Sequence, residues 1–429
     1  MQKKINIAII GLGQIGNYLL NELNKNKREI LVKTGKQINI AAISARNINK
    51  KRKFKINKKI FFKKPLDIIN KKKIDILIEA IGQSDGVSKK IIEAALKKKI
   101  HVVTPNKALI SKHGNYLSKL AEKNKVNLEF EASVGGGIPI LRTIKEGLAT
   151  NKIDKVYGIL NGTCNYILSE MEITKDSFIN VLKKAQNLGY AEPVNPKLDL
   201  NGYDALAKVR ILSSLAFNKK ISKNPCLMEG IENIETKDIN IADQLNLRIK
   251  LLGITELINN KLFERVHPCL VKKNSYIANV NGVMNAVILN GRPVGESVLQ
   301  GEGAGPGPTS SALMSDILSI LRGNIKYPFG IPDVKRKKVK VYNIHNYSNS
   351  LYLRFEVTDK AGVLSQITQK LAKNRISVER LIQIPDHKKK TASIVIITHK
   401  SNELDAQNCL KSFKSNNNIL KSPILIRLL

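Results

Sequence analysis

Ile5-Asn6-Ile7-Ala8-Ile9-Ile10-Gly11-Leu12-Gly13-Gln14-Ile15-Gly16 is an apolar run that stops at three glycines spaced GxGxxG. A helix-like stretch carrying Tyr18, Leu19, Leu20 and Leu23 follows at once. A near-continuous apolar run reads as a strand of a parallel sheet, buried on both faces. Strand before and helix after is the context that gives GxGxxG its meaning. Gly11 allows the tight turn, Gly13 lets a pyrophosphate approach the backbone, and Gly16 lets the helix pack on the strand. The free N–H groups of the helix start then face the phosphates. Gly11, Leu12, Gly13, Gln14, Ile15 and Gly16 are therefore candidates for binding a dinucleotide. The bland alternative is a glycine-rich turn without a ligand.

Further strands and helices alternate outward from this turn. Ile38 to Ala45, Asp75 to Ala80, His101 to Thr104 and Val126 to Phe130 read as strands; Asp85 to Lys98 and Lys107 to Lys123 read as helices. Such alternation predicts an α/β fold with a doubly wound parallel sheet of the Rossmann type. Ligands bind at the carboxyl ends of its strands, where Glu79, Gly82, Thr104, Asn106 and Lys107 fall. The second strand ends in Ser44-Ala45-Arg46, with no carboxylate for the ribose hydroxyls. Arg46 suits a 2′-phosphate, so NADP is the expected cofactor, with NAD as the alternative. The plainer reading of Arg46 is a basic surface residue.

The centre of the chain holds Gly202-Tyr203-Asp204-Ala205-Leu206-Ala207-Lys208. Asp204 and Lys208 are four apart and share a helix face. The helix is apolar nearly all round, so it is expected to be buried, and a lysine there must be paired or useful. An ordinary ion pair and a catalytic pair explain this segment equally well. Glu131 to Ile140 contains three consecutive glycines, which suit either an inter-domain hinge or a carbonyl-lined site for a hard cation. From about residue 150 the strands read as antiparallel, Asn290-Gly291 reads as a hairpin turn, and a capped helix is expected from Thr309 to Leu321. Residues 325–350 are polar and basic, a linker or hinge. The tail alternates Leu351, Leu353, Phe355 and Val357 with Tyr352, Arg354, Glu356 and Thr358, which predicts a half-buried strand. Its βαββαβ order predicts a separate ferredoxin-like unit.

Composition narrows the function classes. The 429 residues suggest two or three domains, and 42% hydrophobic content supports a sizeable core. No run of 18 apolar residues occurs, so no membrane helix is expected. The first residues lead straight into strand-like sequence, without the apolar region of a signal peptide. Four scattered cysteines form no CxxC, which fits a reducing cytoplasm without a disulfide framework or zinc site. The net charge of +37 invites nucleic-acid binding. The lysines are dispersed, however, and Lys, Ile and Asn are abundant throughout, so compositional drift explains them better. Lys50-Lys51-Arg52-Lys53 is the nearest approach to a patch and lies beside the expected cofactor turn. A positive field there would attract an anionic cofactor.

Taken together, Gly11–Gly16, Thr104–Leu109, Glu131–Pro139, Gly158–Thr163, Gly189–Glu192, Asp199–Lys208 and Gly303–Gly305 resemble the homoserine dehydrogenase family in order and spacing. Asp359-Lys360-Ala361-Gly362-Val363-Leu364 resembles the start of an ACT domain. The resemblance implies a dinucleotide-binding domain over 1–133, an α+β substrate and dimerisation domain over 134–325, a linker over 326–349 and an ACT regulatory domain over 350–429. It implies reversible NAD(P)-linked interconversion of L-aspartate 4-semialdehyde and L-homoserine, a step toward threonine, methionine and isoleucine. Lys208 matches the proton donor, with Asp204 and Lys107 beside it. Glu192, Asp199, Thr163 and Tyr190 match substrate-binding positions. Thr104, Lys107 and Gly303 join the glycine turn and Arg46 at the cofactor. Glu131, with the backbone of Val134, Gly136 and Ile138, matches a structural sodium site. A homo-dimer or tetramer and a threonine effector at the ACT domain are implied, with no nucleic-acid or membrane partner. The run from Glu192 to Asp204 is one residue longer than the family pattern, and Asn195 stands where Asp is common.

Three other readings compete, one of which makes the tail, as an amino-acid sensor, the main function. An acylating semialdehyde dehydrogenase would use Cys164 as nucleophile, but no histidine lies in a recognisable pairing motif with it. A nucleic-acid-binding protein would leave the glycine turn and the Asp204/Lys208 pair without a purpose.

Overall fold

A computed structural model describes residues 4–324, 327–414 and 416–429. Six parallel strands, β1 (Lys4–Ile10), β2 (Gln37–Ser44), β3 (Phe61–Phe62), β4 (Ile76–Glu79), β5 (His101–Val103) and β6 (Leu128–Glu129), lie in the order β3-β2-β1-β4-β5-β6. This is the doubly wound arrangement expected. The chain reverses its direction of travel across the sheet between β1 and β4, and a crevice opens there at the strand ends. One face is filled by Ile7, Ile9, Leu19, Leu20, Leu23, Leu313 and Ile317. Leu313 and Ile317 belong to the late helix Pro306–Leu321, which returns to pack on the helix Gln14–Lys25. That helix begins three residues before Thr309 and has no side-chain cap. Pro306 sits at its first position, where a missing N–H costs nothing.

The second sheet contains β7 (Lys152–Ile159), β8 (Leu227–Met228), β9 (Leu247–Ile258), β10 (Lys261–Lys272), β11 (Met284–Arg292) and β12 (Gly295–Glu302). Asn290 and Gly291 do not make the hairpin turn; both remain in β11, and the turn comes at Pro293-Val294. The pairing Gly291↔Gly295 sets that later position.

The tail supplies β13 (Ser348–Asn349), β14 (Leu351–Thr358), β15 (Val378–Asp386), β16 (Thr391–Thr398), β17 (Ser401–Asn402) and β18 (Ile424–Leu428), with helices Val363–Lys373 and Glu403–Lys411. Its four long strands run β18-β14-β16-β15, as a βαββαβ unit requires. The tail has a core of its own, with Leu353, Phe355, Ile367 and Ile394, but its sheet does not stand alone. Cys269↔Arg427 and Leu270↔Leu428 join β10 to β18 in parallel, so one sheet runs β12-β11-β7-β9-β10-β18-β14-β16-β15. Strand β14 is consequently buried on both faces. Tyr352 and Arg354 lie under the helix Thr236–Gln244, where Asp238 accepts from the Tyr352 hydroxyl at 2.7 Å and from Arg354 Nε at 2.6 Å.

The expected linker is also tied down. Leu262 N donates to Lys340 O at 2.8 Å, and Tyr342 N to Leu262 O at 2.8 Å. Arg336 is buried over the Phe329 ring, donating to Asp333, Ser118, Asn115 and Ser214. The expected boundary at residues 325 and 326 lies outside the described residues.

Candidate active site

The glycine turn sits at the switch point. Gly11 N donates to Ser44 O at 2.8 Å, and Ala80 N donates to Ile10 O at 2.7 Å, so the turn is wedged between the ends of β2 and β4. Gly11 has φ +95°, and a Cβ on it would stand 2.5 Å from Ala80 O. No other residue fits there. A Cβ on Gly16 would stand 1.9 Å from Gly11 O. Gly13 differs, because a Cβ on it would meet only open space. That space lies over the start of the helix Gln14–Lys25, which has no side-chain cap. Uncapped N–H groups beside a cleared space suit a pyrophosphate. Leu12 turns its side chain into the core, so it can serve a ligand only through its backbone.

Beside the turn lies a recess of about 560 Å³ lined by Gly11, Gly13, Ser44, Arg46, Lys50, Arg52 and Lys63, among others, with no carboxylate in its wall. Arg46 is exposed at its edge. Arg52 is committed to the backbone: it donates to Leu12 O at 3.1 Å, Ile48 O at 3.0 Å and Lys50 O at 2.8 Å. Arg52 thus straps down the loop after β2, which leaves Arg46, Lys50 and Lys63 as the cations of the recess available to a ligand.

Glu79 ends β4 fully buried and gathers the neighbouring strand ends. It accepts from Ile81 N at 2.9 Å, Ser88 Oγ at 2.9 Å and Thr104 Oγ1 at 2.7 Å. The Thr104 side chain, on the residue that follows β5, is therefore buried and engaged. Asn106 caps the helix Lys107–Lys123 by accepting from Leu109 N at 3.1 Å, and this places Lys107 at the mouth of the cleft.

The central cleft, about 670 Å³, has Gln14, Ile15 and Gly303 to Thr309 on one side and Asn161 to Thr163, Tyr190, Asp199, Asp204 and Lys208 on the other. Gly202, at φ +86°, turns the chain into the helix Tyr203–Ala216, and a Cβ on it would press to 2.9 Å from Val266 Cγ1. On the first turn of that helix, Asp204 is gripped by two lysines. Its Oδ2 is 2.8 Å from Lys208 Nζ and its Oδ1 is 2.8 Å from Lys107 Nζ. Lys208 also donates to Leu160 O at 2.6 Å. Asn161 Nδ2 bridges Asp199 Oδ1 at 2.8 Å and Asp204 Oδ2 at 3.1 Å. Burial alone would raise the Asp204 carboxyl, but the two ammonium groups outweigh it and hold it below the usual range. Lys208 is 7% exposed, and burial lowers its pKa; Asp204 works against that and the Lys107 charge adds to it. Asp204 raises the pKa of Lys107, against a smaller effect of burial. Burial, then the nearby Asp204 charge, raises the Asp199 carboxyl.

The other expected residues divide. Thr163 and Tyr190 line the cleft, the Thr163 hydroxyl donating to Tyr190 O. The Tyr190 ring packs tilted against that of Tyr166, with centroids 5.0 Å apart. Glu192 stands on an exposed loop outside the cleft wall, and its backbone carbonyl accepts from Gln186 Nε2 at 3.1 Å. Cys164 is fully buried, its Sγ 3.3 Å from Asp199 O. Burial, followed by the charges of Asp199 and Asp204, pushes its thiol well above the ordinary value, which removes it as a nucleophile. Glu79 is expected at a ligand-binding strand end, whereas Asn161 and Asn285 carry no role in the sequence reading. Asn161 has a signal, as a cap residue before a helix; Asn285, inside β11, has none.

The loop after β6 folds tightly. Glu131 is buried and accepts from Leu141 N and Arg142 N, both at 2.8 Å. Burial raises its pKa, against the charges of Lys145 and Arg142 and those two backbone bonds. Gly136 has φ +54° and abuts Gly303. Val134 and Ile138 bury their side chains, and the Ile138 carbonyl accepts from Ile140 N at 2.8 Å. Among the described residues no cluster of three or more His, Cys, Asp or Glu side chains could hold a metal ion. Any cation here would need carbonyl oxygens plus the one carboxylate, a set that suits a hard monovalent or divalent ion rather than zinc.

Comparison with known proteins places this geometry. The family model described as homoserine dehydrogenase, NAD binding domain, matches residues 11–131; that described as homoserine dehydrogenase matches 139–318; that described as ACT domain matches 351–416. The chain is 38% identical to a homoserine dehydrogenase of Neisseria gonorrhoeae over 99% of each chain. It is 37% identical to that of Helicobacter pylori over 100% of each. The crystal structure of a homoserine dehydrogenase from Thiobacillus denitrificans superimposes with a TM-score of 0.90 at 33% identity, covering 100% of this chain and 99% of that one.

Proposed function

The chain belongs to the homoserine dehydrogenase family, an NAD(P)-dependent oxidoreductase acting on a CH–OH group, and from this we propose how its residues share the reaction. The family's reaction interconverts L-aspartate 4-semialdehyde and L-homoserine, on the way to threonine, methionine and isoleucine. The observation that carries the residue assignment is the Lys107–Asp204–Lys208 clamp, set in the cleft opposite the start of the cofactor helix.

When bound, the cofactor supplies the hydride to the aldehyde carbon. Lys208 does the work at the oxygen. As an ammonium it stabilises the charge that develops there and gives up a proton. Its lowered pKa makes that proton easier to release, and Asp204 keeps the group charged beforehand. Asp204 also fixes Lys107 at the cleft mouth, where Lys107 serves cofactor and substrate together. Asp199 takes the substrate ammonium, supported by its place in the cleft wall; Thr163 and Tyr190 shape the same end. Glu192 can join only if its loop closes inward.

We assign the cofactor to the glycine turn, with Gly303 across the cleft, and favour NADP because Arg46 and Lys50 face a recess without a carboxylate. Replacing Arg46 with Ala is expected to cut the preference for NADPH over NADH about tenfold, as the loss of one charge-assisted phosphate contact would. An unchanged ratio in initial-rate measurements would return Arg46 to the surface.

A structural sodium ion would be held by Glu131 with the backbone of Val134, Gly136 and Ile138, and would stiffen the loop that meets Gly303. We keep the division 1–133, 134–325, 326–349 and 350–429 as a proposal, supported by the change from parallel to antiparallel strands after β6. A homo-dimer or tetramer, a threonine effector at the ACT domain and a cytoplasmic setting complete the reading; the last is supported by four free cysteines. The test of the whole is NADPH oxidation on adding L-aspartate 4-semialdehyde, with NADH and threonine in parallel. No turnover by protein that binds NADPH would remove the residue assignment.

A further inference from the structure

The edge of β10 that receives the ACT strand also receives β8, end to end: Arg265↔Leu227 and Val266↔Met228 lie just ahead of Cys269↔Arg427. One side chain closes the gap between them. Arg427, 2% exposed, forks onto Glu229 at 2.7 and 3.1 Å and onto Glu403 at 2.6 and 3.0 Å. Glu229 follows β8 directly and is anchored by its own N–H to Val266 O at 2.8 Å. The next two residues press on the active-site segment. A Cβ on Gly230 would stand 2.2 Å from Leu200 O, and Ile231 N donates to that same oxygen at 3.1 Å. Leu200 lies between Asp199 and Gly202, the glycine that opens the Asp204/Lys208 helix.

We propose that Glu229 is a positioning residue for Asp199, held in register by Arg427 of the ACT domain. The inference rests on the assignment of Asp199 to the substrate ammonium. The physical chain is short and rigid. A bidentate guanidinium fixes the Glu229 carboxylate in two dimensions. The backbone from 229 to 231 is pinned to β10 on one side and to Leu200 on the other, with no room at Gly230 for slack. A displacement of β18 or of the start of the helix Glu403–Lys411 therefore reaches Asp199 through Leu200, without touching the cofactor turn. This gives the tail a route into substrate affinity specifically.

The test uses the full-length protein and three variants. Glu229→Gln keeps the shape and removes the charge that holds Arg427. Arg427→Lys keeps the charge but cannot fork onto two carboxylates. Both are expected to raise the KM for L-aspartate 4-semialdehyde about threefold to tenfold, the scale of single-residue effects on coupling. NADPH affinity by fluorescence titration and kcat are expected to stay within about twofold. A lowered Tm with an unchanged KM in both variants would make the contact merely structural and overturn the proposal. Asp199→Asn is measured alongside. An unchanged KM in that variant refutes the assignment of Asp199; a raised one there, with none in Glu229→Gln, refutes the positioning role alone.

Discussion

Two lysines lie buried against the same sheet, and their surroundings explain why only one of them suits proton transfer. Lys208, on the helix side, has Asp204 at 2.8 Å and a backbone carbonyl at 2.6 Å, and it lines the cleft. Lys250, on β9, donates to Val280 O at 2.7 Å and to the amide oxygens of Asn281 and Asn165 at 3.2 and 3.4 Å. No carboxylate touches it among those contacts, and burial brings its pKa down to about 8, against a weaker pull from Glu172. A third case marks the other extreme. Burial would lower the pKa of Lys145, but Glu129, Asp316 and Glu131 together raise it. Burial alone gives an easily neutralised amine, and several carboxylates give a fixed cation. One carboxylate at a cleft wall gives an ammonium that is charged yet ready to donate.

The largest effect should follow from Lys208→Ala. Turnover is expected to fall about a thousandfold or more, at the upper range for loss of a general acid that also stabilises charge. NADPH binding, measured by fluorescence, should be retained because Lys208 sits across the cleft from the glycine turn. Comparable turnover in the variant would end the comparison, since the two lysines would then be equivalent. Asp204→Asn should cost less, about a hundredfold. It removes the charge that opposes burial at Lys208, so that pKa falls further. The reduction needs the protonated form, and its rate declines as pH rises through that pKa. The alkaline limb of the kcat/KM profile should therefore move to lower pH. A limb that stays in place would mean another group titrates there.

What could be read in the sequence follows the range of the forces involved. The glycine turn was legible because its demands are local, Gly11 by backbone angle and Gly16 by a clash with Gly11 itself. The Asp204/Lys208 pair was legible because four residues return a helix to the same face. The second arm of the clamp, Lys107 on Asp204, joins parts of the chain far apart, and no spacing rule reports it. Glu79 is legible only as a residue at a strand end; the bonds it collects from Ile81, Ser88 and Thr104 form on folding. Strand β14 alternates apolar and polar residues and still buries both faces, because Asp238 supplies a partner for the polar one. Two residue pairs between β10 and β18 merge what reads as a separate tail into one sheet. The turn expected at Asn290-Gly291 moved because strand register overrode a local preference.

The smallest effect on activity, and the sharpest test of the contrast, is Lys250→Met. Methionine approximates the volume of lysine, and replacing a buried charge with an apolar residue of similar shape is often close to neutral. Val280 O keeps a second donor, Asn165 Nδ2 at 3.1 Å, so no carbonyl is stranded there. Turnover is expected to stay within about twofold. The distinguishing readout is stability against pH. In the native state Lys250 gives up its proton near pH 8, whereas in the unfolded chain it holds it to the ordinary lysine value. Between those values the unfolded state binds more protons, so this residue makes stability rise with pH. Below pH 8 its unfavourable contribution is present in full; by the ordinary lysine value it has been relieved. Chemical denaturation of the wild type and the variant from pH 7 to 10.5 should show the difference between them changing in favour of the wild type by up to about 3 kcal/mol. A flat difference would mean that Lys250 stays protonated throughout, and that three neutral oxygens hold an ammonium as well as one carboxylate does.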